Sequence, residues 1–257
     1  DSDLERLATD SRGEIRGSAS YGRYSSNSSL TRAMAELIKK EKPLCVVSGR
    51  GTFNVPSATG VSYKVGEPEP VPEIIMPIED HGRMCRIIER GIKVEMELEL
   101  RHKFTDNQKI NNVIAEIPGT DPKLKDEVVL IGAHLDSWHG GTGGADNASG
   151  CIVMMEAMRV LKAVGVKPKR TIRIALWGGE EQGLYGSAGY SNNYLYDREK
   201  KKKLDGYDDF TLYLNMDNGS GRFRGIYLER NDLAIPFFKT WMEPLQSIGF
   251  NVLSPRT

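Results

Sequence analysis

Three short apolar runs, each ending in acidic residues, constrain this chain more than any other feature. The first, residues 128–131 (VVLI), is too short for a buried helix and rich in β-branched side chains. It leads through Gly132-Ala133 into His134-Leu135-Asp136 and a glycine-rich turn. That pattern predicts a central strand ending in a polar site. Residues 171–177 repeat the design and stop at Gly178-Gly179-Glu180-Glu181, and residues 210–216 repeat it before Asp217-Asn218-Gly219. Ligands of open α/β sheets bind beyond the carboxyl ends of the strands. If the three strands lie side by side and parallel, His134, Asp136, Asp146, Glu180, Glu181 and Asp217 gather at one rim. Carboxylates that close raise one another's pKa and stay partly protonated, so a bound cation is the expected remedy.

The 257 residues suggest one large or two small domains, and 39% hydrophobic content suffices for a core. Residues 1–42 are polar and rich in Ser, Arg and Gly. One amphipathic helix is expected at 30–40, with Ser29 as cap and Ala33, Met34, Leu37 and Ile38 as its apolar face. Residues 43–104 change rhythm to short strands at 44–47, 61–65, 73–76 and 92–103, with a helix at 77–90, which predicts a small β-rich module. From 105 to 257, strands at 112–117, 128–131, 171–177 and 210–216 alternate with helices at 149–164, 183–196 and 233–248. This predicts an α/β unit, a mixed, largely parallel sheet flanked by helices.

The formal net charge is zero and the pI about 7.1, so nothing general argues for nucleic acid or an anionic membrane as partner. The lysine run at 200–203 is flanked by Asp197, Glu199, Asp205, Asp208 and Asp209, which predicts a solvated loop. The three cysteines, Cys45, Cys85 and Cys151, have no C-x-x-C spacing, so neither a disulfide framework nor a thiolate zinc site is indicated. A Cys45–Cys85 pairing stays open. No apolar run approaches the roughly 20 residues that span a bilayer. The first residues, DSDLERLATDS, are no signal peptide and lack an initiating Met, so a processed or trimmed chain is expected, its address removed.

His134 and Asp136, two apart, point to the same side of a regular strand. The carboxylate can then take the proton of one imidazole nitrogen and leave the other free for a metal. Taken alone, His134 also reads as a buried imidazole satisfied by a neighbour, Asp146 as a helix cap and Asp217 as an Asp-Asn turn. Together they read as a metal site. Glu180 and Glu181, being adjacent, point in different directions, so one can bind metal while the other acts as general base toward an activated water. Imidazole and carboxylates without thiolate suit zinc, with manganese or cobalt as alternatives, and two cations bridged by one carboxylate would use the ligands efficiently. Hydrolysis is the expected reaction. There is no G-x-S-x-G around a serine, no H-E-x-x-H and no G-x-x-x-x-G-K. The glycines of 140–144 are expected to let the chain pass close to the metals.

Gly132-Ala133-His134-Leu135-Asp136-Ser137, Asp146-Asn147-Ala148-Ser149-Gly150, Glu180-Glu181-Gln182-Gly183-Leu184-Tyr185-Gly186-Ser187 and Met216-Asp217 resemble, in order, the motifs of the zinc-dependent aminopeptidase and glutamate carboxypeptidase superfamily. Trp138 after His134-Leu135-Asp136-Ser137, with Pro168-Lys169-Arg170-Thr171, is similar to its plasma glutamate carboxypeptidase-like branch. There a protease-associated domain interrupts the peptidase domain, and residues 43–104 resemble it, notably at Val71-Pro72-Glu73-Ile74 and Ile78-Glu79-Asp80. The resemblance covers nearly everything after about residue 28.

The resemblance implies an exopeptidase acting on short peptides through two Zn2+ ions. His134 and Asp217 would complete one zinc, Glu181 would bind the second, and Asp146 would bridge them. Glu180 would be the general base, and Asp136 would orient His134. The family's final ligand, a His near the C-terminus, has no counterpart before Thr257. His139 is a candidate substitute. The expectation is therefore a fragment of a longer enzyme lacking the domain's first strands too, against a variant with an incomplete second site. The alternative from another class is a non-catalytic, receptor-like protein on a peptidase fold. An extracytoplasmic location, secreted or periplasmic, and a homodimer complete the expectations.

Overall fold

The computed structural model describes residues 28–49, 66–101, 103, 109–217 and 219–254. They group into two compact units, one of Pro43–Ser220 and one of Asp1–Lys42 with Gly221–Thr257.

The larger unit is built on a four-stranded sheet of β3 (Val113–Ile117), β4 (Val128–His134), β5 (Thr171–Trp177) and β8 (Phe210–Asn215). Their order is β3-β5-β4-β8. β4 pairs parallel with β5 from Val128↔Thr171 to His134↔Trp177, and parallel with β8 from Val128↔Phe210 to Gly132↔Asn215. β3 closes the other edge antiparallel to β5. The three runs are thus neighbouring parallel strands, as their composition predicts. β8 takes in one extra residue, Thr211, between its pairings with Val128 and Val129, a bulge at the start of the strand.

β4 and β5 are the most buried strands because both faces are covered. On one face Val128, Leu130, Ala175, Trp177 and Tyr190 form a core with Leu195, Phe210 and Tyr213 against it. On the other, Ala133, Ile174 and Leu176 meet Cys151, Met154 and Met158 of α3 (Ser149–Ala163). Burying one such aliphatic side chain stabilises by about 1.5–3 kcal/mol. The strand ends are fixed accordingly.

Elsewhere in this unit β1 (Val46–Gly49) and β2 (Glu73–Met76) pair parallel, followed by α2 (Ile78–Glu89). Residues 92–101, expected to be a strand, run without a ladder partner among the described residues. Alternation alone does not make a strand, because its N–H and C=O groups need a neighbour to pair with. The strand expected at 61–65 lies outside the described residues. The helix expected at 183–196 shortens to α4 (Tyr185–Tyr190), followed by a wider turn over Ser191–Leu195. A hairpin of β6 (Tyr196–Asp197) and β7 (Lys202–Lys203) then carries the lysine run, with Lys200 paired to Asp197 and Lys203 to Asp208. Cys45, Cys85 and Cys151 are free thiols.

In the smaller unit, α1 (Ser28–Glu41) leaves Met34 and Leu37 about half exposed. β9 (Gly225–Tyr227) pairs parallel with β10 (Val252–Ser254). The helix expected at 233–248 breaks into a 3-10 turn, α5 (Ile235–Met242) and a second 3-10 stretch, Glu243–Ile248. Pro236 and Pro244 sit at the starts of the last two, where a missing N–H costs least. No described helix is long and apolar enough to cross a membrane.

Candidate metal centre

Each candidate residue arrives on its own piece of the sheet's carboxyl-terminal rim. β4 ends at His134, only 2% exposed, and the Leu135 N–H still donates to Trp177 O at 2.6 Å before the chain turns out at Asp136. β5 is followed by Gly178-Gly179 and then Glu180-Glu181. Beside β4 the Met216 N–H donates to Gly132 O at 2.9 Å, which carries β8 one residue further and delivers Asp217 next to His134. Asp146 comes from the turn Gly144–Ala148 that leads into α3.

His134 Nε2 lies 2.9 Å from Asp146 Oδ1, 3.0 Å from Asp217 Oδ1 and 3.8 Å from Glu180 Oε2. Across the ring, Nδ1 is 3.0 Å from the main-chain O of Asp136. A carbonyl only accepts, so that contact assigns a proton to Nδ1. Nε2 then offers a lone pair to two carboxylates that repel it, or one proton that cannot serve both. A cation shared by the lone pair and both carboxylates satisfies all three. The donor atoms of His134, Asp146 and Asp217 lie within 4.8 Å of one another, as do those of His134, Glu180 and Glu181. Glu181 Oε1 is buried and accepts no hydrogen bond, an uncompensated cost that a metal ion would remove. The residues therefore fit hard or borderline divalent ions such as zinc. His139 is exposed and belongs to neither group.

The Asp136 carboxylate faces the next strand. Its Oδ1 accepts the Glu180 N–H at 3.0 Å and its Oδ2 the Glu181 N–H at 3.2 Å. It stands 3.7 Å from His134 Nδ1, whose proton goes to the carbonyl of the same residue. Two amide donors side by side hold both carboxylate oxygens away from the ring.

The electrostatics follow from burial and crowding. Burial pushes the Glu180 carboxyl up, with Asp217, Asp136 and Asp146 adding to it against the opposing pull of His134. Burial, Asp146 and Glu180 push Glu181 up to about 7. Asp217 is raised by burial and by Asp146 against His134. At His134 burial works against the charged ring, yet Asp217, Glu180 and the Asp136 carbonyl outweigh it and the pKa rises. A pocket that pushes several carboxyl pKa values up lacks positive charge.

Two asparagines to which the sequence assigns no role hold these loops. The Gly178 N–H donates to Asn112 Oδ1 at 3.1 Å and Asn112 Nδ2 donates to Gly186 O at 2.9 Å, so one amide clips both ends of the loop bearing Glu180 and Glu181. Asn147, 1% exposed, donates to Met216 O at 2.8 Å and accepts the Gly150 N–H at 3.2 Å. Asn112 is marked in the sequence only by its position just before β3, and Asn147 by its place in the motif of residues 146–150.

Fold and site together define an α/β protein that gathers oxygen-rich metal donors and one imidazole at the ends of parallel strands. The chain belongs to Peptidase family M28, which it matches over residues 112–243, more than half its length. It is 33% identical to human carboxypeptidase Q and 30% identical to the mouse protein of that name, in both cases over 96% of this chain and 51% of the relative. The chain thus spans about half the length of the curated relatives it matches. Among solved structures, a peptidase M28 precursor from Shewanella amazonensis SB2B is 26% identical, with a TM-score of 0.62, covering 83% of this chain and 46% of that one. The family agrees with the superfamily that the four motifs resemble.

Proposed function

We propose that this chain carries the metal centre and general base of a zinc-dependent exopeptidase that hydrolyses terminal peptide bonds of short peptides. The observation that carries the reading is the convergence of Asp146 and Asp217 on His134 Nε2 at 2.9 and 3.0 Å, with Glu180 3.8 Å away. Membership of family M28 and the carboxypeptidase relatives support it. In this reading His134, Asp146, Asp217 and Glu181 would hold the zinc. Zinc, when bound, supplies a Lewis acid that lowers the pKa of a water and stabilises negative charge on a carbonyl oxygen.

The chain's own residues handle the protons. Glu180, raised by burial toward the working range of a general base, takes the proton from the attacking water at a carboxylate oxygen and returns it to the leaving amine nitrogen. Asp136 fixes the backbone from which Glu180 and Glu181 diverge. His134 is held in one tautomer by the Asp136 carbonyl, which keeps Nε2 available as a ligand. The same proposal takes residues 43–104 as a protease-associated-type module and 105–257 as the catalytic unit. The extracytoplasmic location and the homodimer rest on the sequence alone.

Glu180→Gln tests the role of the base. It should keep the zinc content of the parent and lower turnover by on the order of 10²–10⁴. Retained turnover would remove Glu180 from the mechanism, and a parent without zinc would remove the enzyme reading altogether.

A further inference from the structure

Asp146 and Asp217 sit on different segments, repel each other, and must nevertheless stay within about one hydrogen-bond length of the same imidazole nitrogen. The turn that carries Asp146 cannot impose this by itself. It begins at Gly144 and follows Gly140, Gly141 and Gly143, whose backbones are permissive, and the Asp146 side chain is 60% exposed. The neighbouring residue is the opposite. Asn147 is the largest fully buried side chain among the described residues. Its Nδ2 donates to the carbonyl of Met216, directly before Asp217, at 2.8 Å. Its Oδ1 accepts the N–H of Gly150, in the first turn of α3, at 3.2 Å.

We infer that Asn147 is a positioning residue: its buried amide ties the Asp146 turn to the Met216–Asp217 segment and thereby sets the spacing of two carboxylates for a shared cation. This rests on the metal reading above. Only an amide serves both ends, because it offers a donor and an acceptor on one planar group, whereas a carboxylate would turn an acceptor toward the Met216 carbonyl. Gly150 belongs to the same device. A Cβ there would stand 2.3 Å from Asn147 Oδ1 and 2.6 Å from Met216 O, so any side chain would push the amide and the strand end apart. The plainer account is that Asn147 only caps α3 through the Gly150 N–H. A cap explains neither the bond to Met216 nor the glycine.

The test is zinc titration of the metal-free 257-residue chain by calorimetry, with thermal unfolding recorded with and without zinc. Asn147→Ala and Gly150→Ala should each weaken zinc binding at least about tenfold and shrink the melting shift that zinc produces. The double variant should bind about as weakly as the weaker single one, because both changes break one device. If Asn147→Ala does not fold, Gly150→Ala carries the same readout with the amide still in place. A variant that melts lower without zinc but binds zinc as tightly as the parent shows a cap and nothing more, and overturns the inference alone. A parent that binds no zinc overturns the metal reading and this inference with it.

Discussion

The carboxylate of Asp136 accepts the N–H groups of both Glu180 and Glu181, at 3.0 and 3.2 Å, and so controls two residues from one side chain. An amide in its place offers one oxygen, and its NH2 group would face a second N–H donor. Asp136→Asn should therefore leave a backbone N–H unsatisfied at a cost of about 1–3 kcal/mol, read as a lower denaturant midpoint. The His134 Nδ1 proton should survive, since it is held by the main-chain carbonyl at 3.0 Å, and a proton resonance from that site reports it. An unchanged midpoint would show that the clamp contributes nothing; a lost Nδ1 resonance would show that the carboxylate holds the ring after all.

At the scale of elements, β4 delivers His134 accurately because nothing wider than glycine fits beneath it. A Cβ on Gly132 would stand 2.7 Å from Ala175 O and 3.0 Å from the Tyr213 hydroxyl. That phenol cannot step aside easily. It accepts from Trp177 Nε1 at 2.6 Å and donates to Asn215 Oδ1 at 2.6 Å, and its pKa is pushed up to about 12, chiefly by burial. Gly132→Ala should cost about 1–3 kcal/mol of stability through overpacking, measured by chemical unfolding, and a variant as stable as the parent would disprove the tight fit. The strands themselves were legible because apolar runs that stop at carboxylates have few other uses, and His134, Glu180, Glu181 and Asp217 came with them, Asp146 following on the turn into α3. Asn112 and Asn147 were not, since the partners that give them their roles, Gly178, Gly186 and Met216, lie 66 to 74 residues away and no local pattern encodes such a bond. The break in the 233–248 helix is signalled by Pro236 and Pro244, each of which can start a helical turn but not continue one.

Across the whole molecule the metal centre should govern how stability depends on pH. Glu181, Glu180 and Asp217 have folded-state pKa values raised first by burial and then by neighbouring carboxylates, Asp146 and Asp136 acting on all three, and that of His134 is raised by the carboxylates around it. Each holds its proton more tightly folded than unfolded. Their contribution is complete below the unfolded values and is lost as pH rises, for Glu181 between 4.5 and about 7 and for His134 above 6.5. Surface carboxylates shift the other way: a Lys200 backbone N–H lowers Asp197, and the Arg159 side chain lowers Glu156. Their contribution is already in place above the ordinary carboxylate range and stays constant from about pH 5 upward. The metal-free chain should accordingly melt at a lower temperature at about pH 8 than at about pH 5. Added zinc should reverse the trend, because zinc held by these residues would need the imidazole and the carboxylates without their protons and would supply the missing positive charge. Thermal unfolding across that range, with chelator and with saturating zinc, should give curves that diverge as pH rises. A metal-free chain that grows more stable toward alkaline pH would mean that these carboxylates are not crowded together in the folded protein.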